Sequence, residues 1–116
     1  MKFKQEFTYE KRVEESYRVL TKFPDMLPVV CEKSSFTSKE CPDIDKKKYL
    51  VPKDLTVGQF LYIVRKRLVL PPEKAIFLFV EKTIPPSAAF IIDIYNIYKD
   101  KDGFLYIEYG FENVFG

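Results

Sequence analysis

Residues 54–68 read DLTVGQFLYIVRKRL, and this stretch decides the fold. Thr56 and Gln59 stand in the T-x-x-Q spacing of a capping box, where the hydroxyl meets the N3 amide and the glutamine reaches back to the cap. Val57, Phe60, Leu61, Val64 and Leu68 then recur at helical intervals as one apolar stripe. Arg65, Lys66 and Arg67 occupy the last turn, where positive charge complements the helix dipole. LPPEK (70–74) ends the helix. A helix with a single apolar stripe needs a surface to lie on, and its flanks supply strands.

Upstream, PVVCEK (28–33) is rich in valine and bounded by proline and a serine-containing loop, and it reads as a strand. KYLVP (48–52) reads as a second, with Pro52 at its end or edge because proline cannot donate to a ladder. Downstream, AIFLFV (75–80) is an apolar strand covered on both faces. IPPSAAFIIDIYNIYKD (84–100) offers Ser87 as the cap of a short helix, DKDG (100–103) makes a turn, and FLYIEY (104–109) alternates as the closing strand. At the N-terminus, Tyr9, Val13, Ser16, Leu20 and Phe23 share a helical face. Thr8 reads as that helix's N-cap, and FPD (23–25) ends it because the residue before proline avoids helical angles. Phe3 and Phe7 lie ahead of it, in a short extra helix.

The order is helix, strand, strand, helix, strand, short helix, strand. It predicts an α+β fold of the ubiquitin-like, or β-grasp, kind: a four-stranded mixed sheet on one central helix, with an N-terminal helical extension. No linker or repeat divides residues 1–116, which make one domain. Residues 1–27 are the helical extension, 28–110 the β-grasp core and 111–116 a flexible tail.

Composition narrows the chemistry. The chain has no histidine, so Ser/His and Cys/His nucleophile pairs and the commonest zinc ligand are missing. No catalytic residue, metal or cofactor is expected. Cys31 lies in an apolar stretch and reads as a small core hydrophobe. Cys41, in the polar segment SSFTSKECPD (34–43), reads as exposed; a reactive thiol there would need an unusually low pKa. The longest apolar run falls far short of a membrane span and no signal-peptide core is present, which points to the cytosol or nucleus. Residues 45–67 carry 7 basic groups (Lys46, Lys47, Lys48, Lys53, Arg65, Lys66, Arg67) against Asp45 and Asp54, although the whole chain is only +2. Such a block attracts an acidic partner. It is too short, on too nearly neutral a chain, to suggest nucleic acid.

DIDKKKYLVPKDLTVGQF (43–60), VRKR (64–67), FLFV (77–80), IPPSAA (84–89) and DGFLYIEYGFENVFG (102–116) together resemble the autophagy-related ubiquitin-like modifiers, the GABARAP type in particular. The similarity runs from about Phe7 to Gly116, without gaps after Asp45. It implies conjugation through Gly116 to phosphatidylethanolamine on autophagosome membranes, by an activating and then a conjugating enzyme. A terminal glycine suits acyl transfer, having no β-carbon to obstruct the attacking sulfur or amine. Gly110 would let the tail leave the last strand, and Phe115 would anchor it in an enzyme groove.

The resemblance also implies docking of peptides of cargo receptors and autophagy factors that carry an aromatic residue, two spacers and an aliphatic residue, added as a strand beside Lys48–Pro52. Glu15, Val19, Pro28, Lys48, Leu50 and Phe104 would surround the aromatic side chain. Tyr49, Val51, Pro52, Leu55, Phe60 and Ile63 would form the aliphatic pocket. Lys46, Lys48 and Arg67 would meet acidic residues flanking the peptide. Such a protein is a monomer in solution, cytoplasmic until lipidation brings it to the membrane. The alternative is an unconjugated ubiquitin-like interaction domain that binds acidic partners or cytoskeleton through its basic face. Three features depart from the GABARAP pattern: Met26 stands where an arginine is usual, the loop SSFTSKECP (34–42) differs, and the sequence stops at Gly116 with no removable extension.

Overall fold

The computed structural model describes residues 1–113 and Phe115. In chain order it contains α1 (Lys2–Glu6), α2 (Tyr9–Lys22), β1 (Met26–Lys33), β2 (Lys48–Pro52), α3 (Val57–Leu68), β3 (Phe77–Phe79), α4 (Ile91–Tyr98) and β4 (Leu105–Gly110). The strands lie in the order β2-β1-β4-β3. The two central strands, β1 and β4, are parallel, and each outer strand pairs antiparallel with its neighbour. This is the expected mixed sheet.

Strand alternation divides the side chains between two faces. Leu27, Val29 and Cys31 of β1, Tyr49 and Val51 of β2, and Leu105, Ile107 and Tyr109 of β4 share one buried cluster with Phe60, Val64, Ile91 and Ile94 of α3 and α4. On the opposite face, Val30 and Phe104 form a smaller cluster with Phe3, backed by Phe7 and Tyr106. The α3–α4 side is therefore the main core, and the N-terminal helices cover the other side.

α3 forms as its sequence requires. Gln59 N–H donates to Thr56 Oγ1 at 3.1 Å while Thr56 N–H donates to Gln59 Oε1 at 2.8 Å. Its end is less expected: Val69 caps the helix at φ 56, a left-handed conformation that β-branched residues rarely adopt. Arg65 holds this turn in place, its guanidinium donating to the carbonyls of Lys74 (2.6 Å) and Pro71 (2.9 Å).

Four local readings are corrected. β1 begins at Met26, two residues early, because Lys53 N–H pairs with Asp25 O and extends the hairpin. β3 has only three residues, and Val80 leaves it for a turn closed against Thr83. Ser87 does not cap α4. Its carbonyl accepts from Gly58 N–H at the start of α3, and α4 starts after Phe90 without a side-chain cap. Cys41 is buried rather than exposed, because its loop folds back on the sheet: Tyr109 donates its hydroxyl to Pro42 O at 2.6 Å, and Lys33 Nζ donates to Cys41 O. Burial pushes its thiol pKa up, the reverse of what a nucleophile needs.

α2 keeps its expected span and its Thr8 cap, but its docking face differs. Tyr9 and Phe23 are exposed, whereas Arg12 and Ser16 are buried. Arg12 forms an ion pair at 2.5 Å with the fully buried carboxylate of Asp102 and donates to Phe7 O. Ser16 donates to Asp102 O, and Asp102 also accepts from Tyr106 O–H and Phe104 N–H. A polar network therefore pins α2 to the turn that precedes β4.

Candidate functional site

β2 is an outer strand, so one of its edges is unpaired. The register tells which groups lie on that edge. Cys31 N–H donates to Lys47 O and Lys53 N–H to Asp25 O, so odd-numbered residues of the hairpin exchange hydrogen bonds with β1. Antiparallel pairs alternate, and the even-numbered residues therefore turn their backbone groups outward. Lys48 and Leu50 each present an N–H and a C=O, whereas Pro52 has no N–H and its carbonyl accepts from Leu55 N–H. The edge offers two residues of backbone pairing, and then it stops.

Side chains on the two faces flank this edge differently. On the α2 face, Pro28 lies opposite Leu50 in the register, with Lys48 one step along. Glu15 and Val19 of α2 are half-buried there, and Leu50 is 40% exposed. Lys48 Nζ meets Glu15 Oε1 at 2.6 Å and lies 5.9 Å from the Phe7 ring centroid. Phe104 is buried deeper on this face, its ring 5.2 Å from that of Phe3. Glu15, Val19, Pro28, Lys48 and Leu50 thus lie on the α2 side of the β2 edge, and Phe104 is buried on the same side in the aromatic cluster with Phe3.

On the α3 face, Tyr49, Val51 and Phe60 are buried, with the Tyr49 and Phe60 rings packed edge to face at 5.4 Å. Ile63 is exposed and Leu55 is half-buried, whereas Pro52, also exposed, shares the parity of Lys48 and Leu50 and turns to the α2 side. The aliphatic-side residues therefore separate into a closed floor and an accessible rim. Period-two alternation along KYLVP was the signal for this division. A recess of about 510 Å³ opens beside Leu55 and Ile63, bounded by Thr56, Gly58, Gln59, Tyr62, Ser87 and Ala88.

Much of the basic block is engaged within the chain. Arg67 pairs with Asp45 at 3.0 Å, Lys47 with Glu6 at 3.3 Å, and Lys48 with Glu15. Lys46 lies over the Tyr49 ring, and Tyr49 O–H donates to Lys46 O at 2.7 Å. Burial pushes the Tyr49 hydroxyl pKa up, followed by the charge influence of Cys31, so it stays a neutral donor. Of Lys46, Lys48 and Arg67, the last two each already hold a carboxylate of the chain, Glu15 and Asp45.

Gly116 lies outside the described residues. Phe115 rests with its ring edge-on to Phe79 at 5.2 Å and to Phe36 at 5.9 Å. Glu112 Oε1 accepts from Ser38 N–H at 2.7 Å and from Thr37 O–H at 3.2 Å. Sequence reasoning missed Phe36, Thr37 and Ser38. Only the turn-forming character of serine and threonine marks them locally.

The sequence and the fold are matched in known proteins. The profile of the family described as "Autophagy protein Atg8 ubiquitin like" matches residues 11–116. The chain belongs to the Atg8 family. Autophagy-related protein 8 of Saccharomyces cerevisiae (strain YJM789) is 57% identical over 114 residues, covering 98% of this chain and 96% of that one. Its counterpart in Kluyveromyces lactis is 58% identical over 114 residues, covering 98% and 90%. Among solved structures, Trypanosoma brucei ATG8 superposes with a TM-score of 0.91 at 44% identity, covering 100% of this chain and 98% of that one. Plasmodium falciparum Atg8, solved in complex with a Plasmodium falciparum Atg3 peptide, superposes with a TM-score of 0.86 at 36% identity over 95% of each chain. This is an autophagy protein with a ubiquitin-like fold.

Proposed function

We propose that this protein is a membrane modifier conjugated through Gly116 to phosphatidylethanolamine, and that its β2 edge docks aromatic-x-x-aliphatic peptides. One observation supports the docking half: two pairable residues, Lys48 and Leu50, lie on a free edge with the exposed Leu50 side chain on one face and the recess beside Leu55 and Ile63 on the other. In an extended strand, residues i and i+3 point to opposite faces. A peptide paired with Lys48 and Leu50 therefore sends its aromatic residue toward Glu15, Val19, Pro28 and Leu50. Its aliphatic residue goes to the α3 side, against Leu55 and Ile63 above Val51 and Phe60. The odd spacing of the motif follows from the edge position of the strand. Two buried anchors contribute about 1.5–3 kcal/mol each, while micromolar affinity needs about −8 kcal/mol. Backbone pairing and charge supply part of the difference, and many copies on one membrane raise the avidity further.

In the conjugation half the chain is the substrate, and the catalysis belongs to its partners. The Gly116 carboxylate attacks the α-phosphate of ATP and expels pyrophosphate on the activating enzyme. A thiolate then displaces AMP, the thiolate of the conjugating enzyme takes the acyl group, and the lipid amine finally displaces that sulfur as an amide. Among the described residues no helix is long and apolar enough to cross a membrane. Attachment in this reading comes from the two acyl chains of the lipid, since one chain alone anchors only marginally. The chain is then cytoplasmic before conjugation and on the autophagosome membrane after it.

The test is to incubate the chain with activating and conjugating enzymes, ATP and vesicles containing phosphatidylethanolamine. The expected result is a mass increase of one lipid less one water, lost when Gly116 is deleted. No mass shift from the intact chain refutes the conjugation half.

A further inference from the structure

We propose that loop 34–41 is a docking site for the chain's own tail, and that the conjugation enzymes compete with this loop for Phe111, Glu112 and Phe115. The inference rests on the conjugation reading and adds a form of regulation to it.

The loop and tail meet through three kinds of contact. Glu112 accepts from the Ser38 amide and the Thr37 hydroxyl, and Phe111 N–H donates to Thr37 Oγ1 at 2.9 Å. Thr37 therefore uses its hydroxyl twice, as acceptor from one tail residue and as donor to the next. Phe115 packs against Phe36, which stays 70% exposed even with this contact, on a polar loop where no core demands a phenylalanine. Finally, Gly110 brings the backbone close: a β-carbon there would lie 3.0 Å from Thr37 Oγ1.

The loop is itself anchored, so the docking site is already built. Ser34 N–H donates to Tyr109 O at 2.8 Å, Phe36 N–H donates to Ser34 Oγ, and Tyr109 O–H holds Pro42. Both ends of the loop are tied to β4, the strand from which the tail leaves. This is also the segment in which the chain departs from the GABARAP pattern. An enzyme that threads the terminal carbonyl into a narrow site needs the preceding residues extended and free. A docked tail lowers the apparent affinity for that enzyme by the fraction of time the tail is undocked.

The test uses the full chain carrying Phe36→Ala or Thr37→Val, both of which leave the tail sequence intact. Amide hydrogen exchange is measured first, without enzymes. The Ser38 and Phe111 amides donate to Glu112 and Thr37, not to Phe36. Loss of one aromatic contact should nevertheless speed exchange at both by about two- to tenfold if the tail docks as a unit. Thioester formation with the activating enzyme is measured second. In both variants the rate at subsaturating chain should rise by about two- to tenfold, with the saturated rate and the affinity for an aromatic-x-x-aliphatic peptide unchanged. Unchanged exchange at Ser38 and Phe111 in Phe36→Ala overturns the docking site. Unchanged or slower thioester formation overturns the competition. If the unsubstituted chain forms no thioester, the conjugation reading falls and takes the competition with it, and the exchange result still decides the docking.

Discussion

Replacing Asp102 by alanine removes an acceptor on which three donors converge: the Arg12 guanidinium, the Tyr106 hydroxyl and the Phe104 amide. The Asp102 carboxylate is fully buried and the Arg12 side chain is only 11% exposed, so water replaces little of what is lost. Deleting one partner of a buried pair costs about 3–5 kcal/mol, because the other charge is left uncompensated. Partial access of water to Arg12 puts the expected loss at the lower end, about 3–4 kcal/mol. With an unfolding entropy of about 2.1 cal/mol/K per residue, a chain of 116 residues loses about 12–16 °C in Tm. Urea and thermal unfolding followed by circular dichroism measure both quantities. The double variant Arg12→Met with Asp102→Ala should lose less than the sum of the single variants, since it strands no charge. The same network holds α2 and the start of β4, which carry Glu15, Val19 and Phe104. Affinity for an aromatic-x-x-aliphatic peptide should therefore fall at temperatures where the Asp102→Ala chain is still folded. A loss below about 1 kcal/mol in Asp102→Ala, or strict additivity in the double variant, would refute the reasoning.

Three further outcomes are expected. Glu15→Gln frees Lys48 from its 2.6 Å ion pair, which is half-exposed. It should strengthen binding of a peptide with acidic flanks by about two- to fivefold in calorimetry, the range of an exposed pair. Leu50→Pro removes an outward N–H that the β1–β2 ladder does not use, so the chain should fold normally and lose at least about tenfold in peptide affinity. Glu108 has its carboxyl pKa raised, chiefly by burial and then by the neighbouring Glu32, with the N-terminal amine opposing. A carboxyl whose pKa is higher folded than unfolded binds more protons in the folded state across that interval. Stability should therefore fall as pH rises from the ordinary glutamate range through the raised pKa. Glu108→Gln should flatten that slope and raise the Tm at neutral pH.

The elements fixed by local rules were legible in the sequence. The capping box of α3 and the ends of β2 depend on side chains within four positions of one another, and both form where expected. Elements fixed by distant partners were not. Arg12 reads as a solvent-facing residue of α2 until Asp102, 90 positions away, is brought against it. Cys41 reads as exposed until Tyr109 draws its loop down. The candidate site divides in the same way. On the α2 side, Lys48 and Glu15 pair and Pro28 lies opposite Leu50. Strand alternation turns Tyr49 and Val51 inward beside Phe60 and Pro52 the other way, while Leu55 is half-buried and Ile63 on α3 stays exposed. The loop that holds Glu112 had no periodicity to reveal it.

Pro52 has a consequence for crowding. A protein gathered densely on one surface brings identical unpaired strands together, the condition under which sheets add to one another without limit. Here one border ends after two pairable residues at an imino acid, next to the charged Lys48, and the other border is β3, three residues long. A short guest segment can satisfy the first border completely, whereas a second folded copy gains little by meeting it. In the docking reading the strand is long enough to pair with a peptide and too short to nucleate a fibre.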